Sequence, residues 1–226
     1  MCARHAPGVP FVCFADREIP GVEVRRLPPG LPEWWGKIYA MAPEHFPVGT
    51  RLLGLDLDTV VAGSLEPVLS VPLDLPVFIK GCWSTPPGQA PIHRSGVHSL
   101  MVSEKTHLIW HEFTHPPQLH TKPPFWHPRI GKRTGLFNDE QWFGMYIQGG
   151  QWRGWHELLP GAVVGYKTDL HQSMQPLENE VAIVYFDGRP RPHDVVADWN
   201  PHNIHGADGY VTRKETMPIC GSWRNV

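Results

Sequence analysis

One stretch constrains this chain more than any other: Arg51-Leu52-Leu53-Gly54-Leu55-Asp56-Leu57-Asp58-Thr59-Val60-Val61-Ala62-Gly63. Leu52, Leu53 and Leu55 demand burial, and the run reads as a strand that ends in two carboxylates and stops at a glycine. Residues two apart in a strand share a face. The pattern therefore predicts that Asp56 and Asp58 converge at the carboxyl end of a sheet, where open α/β sheets bind ligands. Two carboxylates that close repel unless a cation lies between them. Oxygen-only ligation suits magnesium or manganese held together with the phosphates of a substrate. The competing reading of a bare D-x-D is a strand end with two solvated aspartates.

At 226 residues the chain suits one α/β domain or two small ones, with a substantial core, and is read as a single domain over residues 1–226. A net charge of −2 gives no reason to expect a nucleic-acid partner or a membrane-surface protein. No apolar run reaches the ~18–20 residues of a membrane span, and the start Met1-Cys2-Ala3-Arg4-His5 lacks the apolar core of a signal peptide. The expected location is the cytoplasm. There the scattered Cys2, Cys13, Cys82 and Cys220 are expected as reduced thiols. The 25 prolines imply many loops and short elements, and the 14 histidines make chance histidine motifs common.

Along the chain, residues 10–16 and 21–27 read as strands, the second more exposed. Residues 32–42 read as a helix with Trp34, Trp35, Ile38 and Met41 on its apolar face; Lys37 lies in this helix and by itself reads as a surface lysine. A single helical turn is predicted at 65–69, a buried strand at 76–79, a Pro/Gly/Ser loop at 81–92 and a strand at 95–102. Ser103 fits the N-cap of a helix to about residue 115, with Glu104 in its first turn. Residues 116–135 read as a long loop. Asn138 is positioned to cap a helix whose first turn holds Asp139 and Glu140 and whose apolar face is Trp142, Phe143, Tyr146 and Ile147. Strands are predicted at 161–167 and 181–188, the latter ending in Asp187-Gly188.

His111-Glu112-Phe113-Thr114-His115 is a literal H-E-x-x-H, a spacing that can bind zinc on a helix. Pro116-Pro117 ends that helix at once, no third ligand follows at a recognised spacing, and His107 shares the face. The motif is expected to be a decoy.

Taken in order, these pieces resemble the retaining nucleotide-sugar transferases of the glycogenin and lipopolysaccharide galactosyltransferase type, glycosyltransferase family 8, and in particular uncharacterised bacterial and phage relatives of that group. Trp35-Gly36-Lys37-Ile38 matches a lysine-bearing helix, Leu55-Asp56-Leu57-Asp58-Thr59-Val60-Val61 the metal-binding D-x-D strand, and Leu65-Glu66-Pro67-Val68-Leu69 the short helix behind it. Ser95-Gly96-Val97 stands at the N-[SA]-G-V strand start, and Asn138-Asp139-Glu140-Gln141 at the D-Q segment. Phe186-Asp187-Gly188-Arg189-Pro190-Arg191-Pro192-His193 matches H-F-x-G-x-x-K-P-W.

The resemblance covers residues 10–195 and implies a GT-A fold, a Rossmann-like mixed, mostly parallel sheet with helices on both faces. It implies a nucleotide diphosphate sugar donor, a UDP-sugar, and an acceptor that is a glycan, a lipid or a protein. Asp56 and Asp58 would hold manganese or magnesium against the diphosphate, with Lys37, Arg191 and Gly188 as further donor-binding positions. Asp139, Glu140 and Gln141 would face the donor sugar and the acceptor. Residues 1–5 match the end of the family's first helix, so the opening strand is expected to be missing, leaving a sheet edge that invites pairing with a second copy. Arg94 stands where the family has Asn, and Tyr185 where it has a metal-ligating histidine. Asp187, two residues further along the strand, would supply the third metal ligand in that histidine's place.

Two other readings remain open. Leu55-Asp56-Leu57-Asp58-Thr59-Val60 also fits the nucleophile motif of a haloacid dehalogenase-like phosphatase, with Asp56 as nucleophile and Asp58 as acid/base, although the companion G-D-x-x-x-D motif is missing. A non-catalytic relative that binds a nucleotide-sugar or glycan is the other.

Overall fold

Prolines and turn residues cut the chain into short elements. The computed structural model describes residues 2–31, 35–81, 92–114, 139–146, 151–171, 180–186 and 192. The strands are β1 (Val12–Ala15), β2 (Glu23–Arg26), β3 (Arg51–Leu55), β4 (Thr59–Val61), β5 (Val77–Gly81), β6 (Ile92–Met101), β7 (Arg153–Gly154), β8 (Val163–Gly165) and β9 (Ile183–Tyr185). The helices are α1 (Cys2–His5), α2 (Gly36–Tyr39), α3 (Glu66–Ser70), α4 (Glu104–Thr114), α5 (Asp139–Tyr146) and α6 (Trp155–Leu158), with a π-helical turn at Tyr166–His171. None of these helices is long and apolar enough to cross a membrane.

The α/β character and the mixing of strand directions hold. The expectation of one mostly parallel sheet does not describe these strands. They form three sheets, ordered β1-β2, β3-β6-β5-β7 and β4-β9-β8. β1–β2 and β8–β9 run parallel, whereas β4–β9 and β5–β6 run antiparallel.

The described residues fall into two compact units. The larger comprises Pro10–Gly54 and Leu73–Arg153. Its core gathers Trp35, Ile38 and Met41 around α2, Phe78 from β5, Leu100 from β6, Ile109 and Phe113 from α4, and Trp142 and Phe143 from α5. This is the apolar periodicity read from the sequence, now buried. The Trp142 indole donates to the Ile109 carbonyl at 3.0 Å, tying α5 to α4. α2 ends at Tyr39, short of the predicted end at 42, and residues 32–34 lie outside the described residues. Its end tightens into i→i+3 bonds, Met41 to Ile38 and Ala42 to Tyr39, because Pro43 disfavours helical backbone at the residue before it. α4 begins as predicted. The Ser103 hydroxyl accepts from the Thr106 amide at 3.2 Å, and the Thr106 hydroxyl accepts from the Ser103 amide at 3.2 Å, a reciprocal cap.

One irregularity shapes this unit. On β5 and β6, Val77 pairs with Ser99, but Ile79, two residues on, faces Arg94, five residues back along β6. Ser95 to His98 therefore bulge out of the ladder. Bulges re-aim side chains and are common beside functional sites.

The second unit comprises Met1–Val9, Leu55–Pro72 and Gly154–Val226. β9 lies between β4 and β8, pairing Thr59 with Tyr185 on one side and Gly165 with Tyr185 on the other. Val60, Val164, Val181 and Val184 pack with Tyr166 and Phe186, whose rings stack at 4.9 Å. β9 follows the strand predicted at 181–188, and β8 the one predicted at 161–167. α6 and the π-helical turn had no periodic signal, being too short to show one.

Candidate active site

Asp139 opens α5, where a carboxylate complements the helix dipole. Its side chain is only 7% exposed, so it needs partners. Lys37, carried by α2, supplies one: its Nζ lies 2.7 Å from Asp139 Oδ2. The Ser95 hydroxyl, presented by the β6 bulge, donates to the same oxygen at 2.8 Å. Lys37 Nζ also donates to Ser95 Oγ at 2.9 Å. Two side chains, from α2 and β6, thus converge on one carboxylate oxygen of a third element, α5. With Lys37 22% exposed, this ion pair is held largely out of water.

A second pair sits beside the first. Arg94 Nη1 lies 3.4 Å from Glu140 Oε2. Burial raises the Glu140 pKa above the ordinary carboxylate range; Arg94 opposes this and neighbouring Asp139 adds to it. His93 Nε2 donates to the Glu140 backbone carbonyl at 2.9 Å, fixing the first turn of α5 against β6. Burial lowers the His93 pKa.

His98 is the last residue of the bulge. Its Nδ1 donates to the Ser95 carbonyl at 2.8 Å. The ring stacks on Phe78 at 5.8 Å and packs against Phe143 at 5.6 Å. It also occupies the space that a side chain at residue 54 would need: a Cβ on Gly54 would lie 2.1 Å from His98 Cε1. Burial, with the Lys37 charge adding to it, pushes the His98 pKa down to about 4. His98 is neutral at pH 7.

The D-x-D segment differs from its prediction. β3 stops at Leu55, and the Thr59 amide donates to the Asp56 carbonyl at 3.0 Å, closing a tight turn. Leu57, at the turn's tip, is 77% exposed. Asp56 therefore opens a turn and Asp58 lies within it, and the two do not alternate along one strand. The loss of pairing partners after Leu55 ends the strand, and β4 begins in another sheet. Both carboxylates remain hard oxygen donors two residues apart, a set that suits magnesium or manganese. Thr59, which follows directly, is buried, and its hydroxyl finds no hydrogen-bond partner among the described residues. Tyr185 pairs with Thr59 across the β4–β9 ladder, and its ring lies over Gly165, where a Cβ would meet the Tyr185 hydroxyl oxygen at 2.9 Å. Asp187, Gly188 and Arg191 lie outside the described residues, as does the side chain of Gln141. Among the described residues no group of three or more His, Cys, Asp or Glu is assembled.

On α4, His111 is exposed and His107 Nε2 donates to the Phe46 carbonyl at 3.1 Å. His115 lies outside the described residues.

The structure thus joins Lys37 to Asp139 and sets Glu140 beside them. Reading the sequence missed Ser95, His93 and His98 as members of this cluster and missed that Arg94 pairs with Glu140. One signal was available. Gly96 inside a strand pattern marks a bulge, and a bulge beside Arg94-Ser95 would have redirected both side chains.

Solved glycosyltransferases are similar to this structure. Galactosyltransferase LgtC in complex with donor and acceptor sugar analogs matches with a TM-score of 0.54 at 14% identity, over 91% of this chain and 79% of that one. An active-site mutant of LgtC matches with the same TM-score at 13% identity. The apo form of glycosyltransferase GlyE from Streptococcus pneumoniae TIGR4 matches with a TM-score of 0.45 at 15% identity, over 80% of this chain and 42% of that one. No protein-family model and no curated protein matches this sequence. The chain has a mixed α/β fold shared with glycosyltransferases.

Proposed function

We propose that this chain transfers a sugar, with retention, from a UDP-sugar to a glycan, lipid or protein acceptor, using manganese or magnesium. The observation that carries the reading is the Lys37–Ser95–Asp139 cluster with Glu140 beside it, found in a fold shared with a galactosyltransferase. Residues 58 and 44 positions apart in sequence converge there.

Asp56 and Asp58, with Asp187 as the third ligand, would hold the cation. When bound, the cation supplies Lewis acidity toward the departing diphosphate. Lys37 brings a positive charge already oriented by Asp139 and Ser95, so little reorganisation is needed when negative charge develops on the donor. Arg191 would add a second positive charge and Gly188 close backbone approach. Asp139 and Glu140 present carboxylates to the donor sugar and acceptor, and Gln141 follows them on α5. Burial raises the Glu140 pKa, which favours a carboxyl group able to exchange a proton.

The test is thermal stabilisation by UDP and UDP-sugars with manganese and with EDTA, followed by UDP release. UDP with manganese should stabilise the chain by roughly 1.4–2.7 kcal/mol at ten- to a hundredfold its dissociation constant. Asp58→Ala and EDTA should each abolish the effect. Equal stabilisation in EDTA would sink the shared-metal reading. Binding without UDP release would favour the non-catalytic relative, and phosphate release from simple esters, blocked by beryllium fluoride, the phosphatase.

A further inference from the structure

We infer that His98 is a positioning residue for the Lys37–Asp139 pair, acting through the β6 bulge. The inference rests on the proposed transferase reading only for its kinetic consequence.

The bulge slips the β5–β6 register by three residues and aims the Ser95 hydroxyl at Asp139. A bulged strand holds its shape only where its neighbours pin it. His98 does so from inside the bulge, donating Nδ1–H to the Ser95 carbonyl at 2.8 Å. The donated hydrogen fixes the tautomer, since a carbonyl can only accept. The ring cannot relax away, because Phe78 stacks on it, Phe143 closes another side, and it fills the space left by the missing Cβ of Gly54. Phe143 stands one helical turn after Asp139 on α5. One ring therefore registers the bulge against the helix that carries Asp139. An apolar residue of similar size would fill the cavity but donate nothing to the Ser95 carbonyl.

The test uses the full chain and needs no substrate. Lys37 is labelled with acetic anhydride and its modification compared by mass spectrometry with that of Lys105, an exposed lysine on α4. His98→Leu should raise Lys37 labelling about fivefold, the loss expected when one buried hydrogen bond is removed. His98→Asn, which can place an amide N–H at the Nδ1 position, should restore most of the protection. Equal labelling of His98→Leu and wild type overturns the inference, as does His98→Asn behaving like His98→Leu. Should His98→Leu not fold, nitrogen NMR of the wild-type imidazole decides: protonated Nδ1 upholds the inference and protonated Nε2 overturns it. In turnover of a UDP-sugar, His98→Leu should lower kcat about tenfold with little change in KM, and His98→Asn should recover it. If the wild type turns over no UDP-sugar, the transferase reading fails, while the labelling result still decides the role of His98.

Discussion

Acidification should expose the buried imidazole of His98 as a measurable part of stability. In the unfolded chain this group titrates near 6.5, and in the folded chain near 4. Between those values the unfolded state takes up a proton that the folded state refuses. Stability is therefore complete above pH 6.5, falls as pH drops toward 4, and stops changing below that. At 1.36 kcal/mol per unit, the loss is about 2 kcal/mol between pH 7 and 5 and about 3 kcal/mol by pH 4. Other groups titrate nearby. His93 and His45, also held low by burial, lose stability in the same direction, whereas the raised pKa of Glu140 stabilises the fold on acidification. They cancel to first order in a comparison of wild type with His98→Asn, which keeps the hydrogen bond and cannot titrate. The assay is urea unfolding of both chains at half-unit steps from pH 7.5 to 4. The expected difference curve falls by about 1 kcal/mol per unit at its steepest. A difference that stays flat within 0.5 kcal/mol, taken as roughly the error of such comparisons, would show that the imidazole is solvated and that the burial argument is wrong.

Gly54→Ala should destabilise the chain by about 1–3 kcal/mol in urea unfolding, the cost of overpacking, because the His98 ring in its way is boxed by Phe78 and Phe143. An unchanged midpoint would mean that the ring has somewhere to go. Lys37→Met leaves Asp139 buried without its cation and should cost about 3 kcal/mol, the low end for a broken buried pair since Lys37 is partly exposed. Adding Asp139→Leu to it should recover part of that loss, and strictly additive single costs in a double-mutant cycle would refute the coupling. Ser103→Ala should lower stability by about 1 kcal/mol through the lost cap, read as a shift in thermal midpoint.

Much of the frame was legible without coordinates, and for local reasons. β1, β2, β5, α3 and α4 declare themselves by apolar runs, punctuating prolines and the Ser103 cap, all interactions within a few residues. Trp35, Ile38, Met41, Trp142 and Phe143 were readable as core because burial follows the helical period. The residue types of the candidate site were also local: two aspartates flanking one leucine, and an acidic pair opening a helix. Their arrangement was not. Whether Asp56 and Asp58 share a strand depended on where β3 loses its neighbour, which is a property of the sheet and not of the dipeptide. Lys37 reads as a surface lysine until α5 brings a buried carboxylate to 2.7 Å. Ser95 and His98 carry no signal of their own beyond the neighbouring Gly96, because the extent of the bulge is set by pairing with β5. Sequence periodicity reports which side chains must leave water, whereas the partner of a charge is chosen by long-range packing, and only the tertiary structure could name Asp139, Ser95 and His98 as the setting of Lys37.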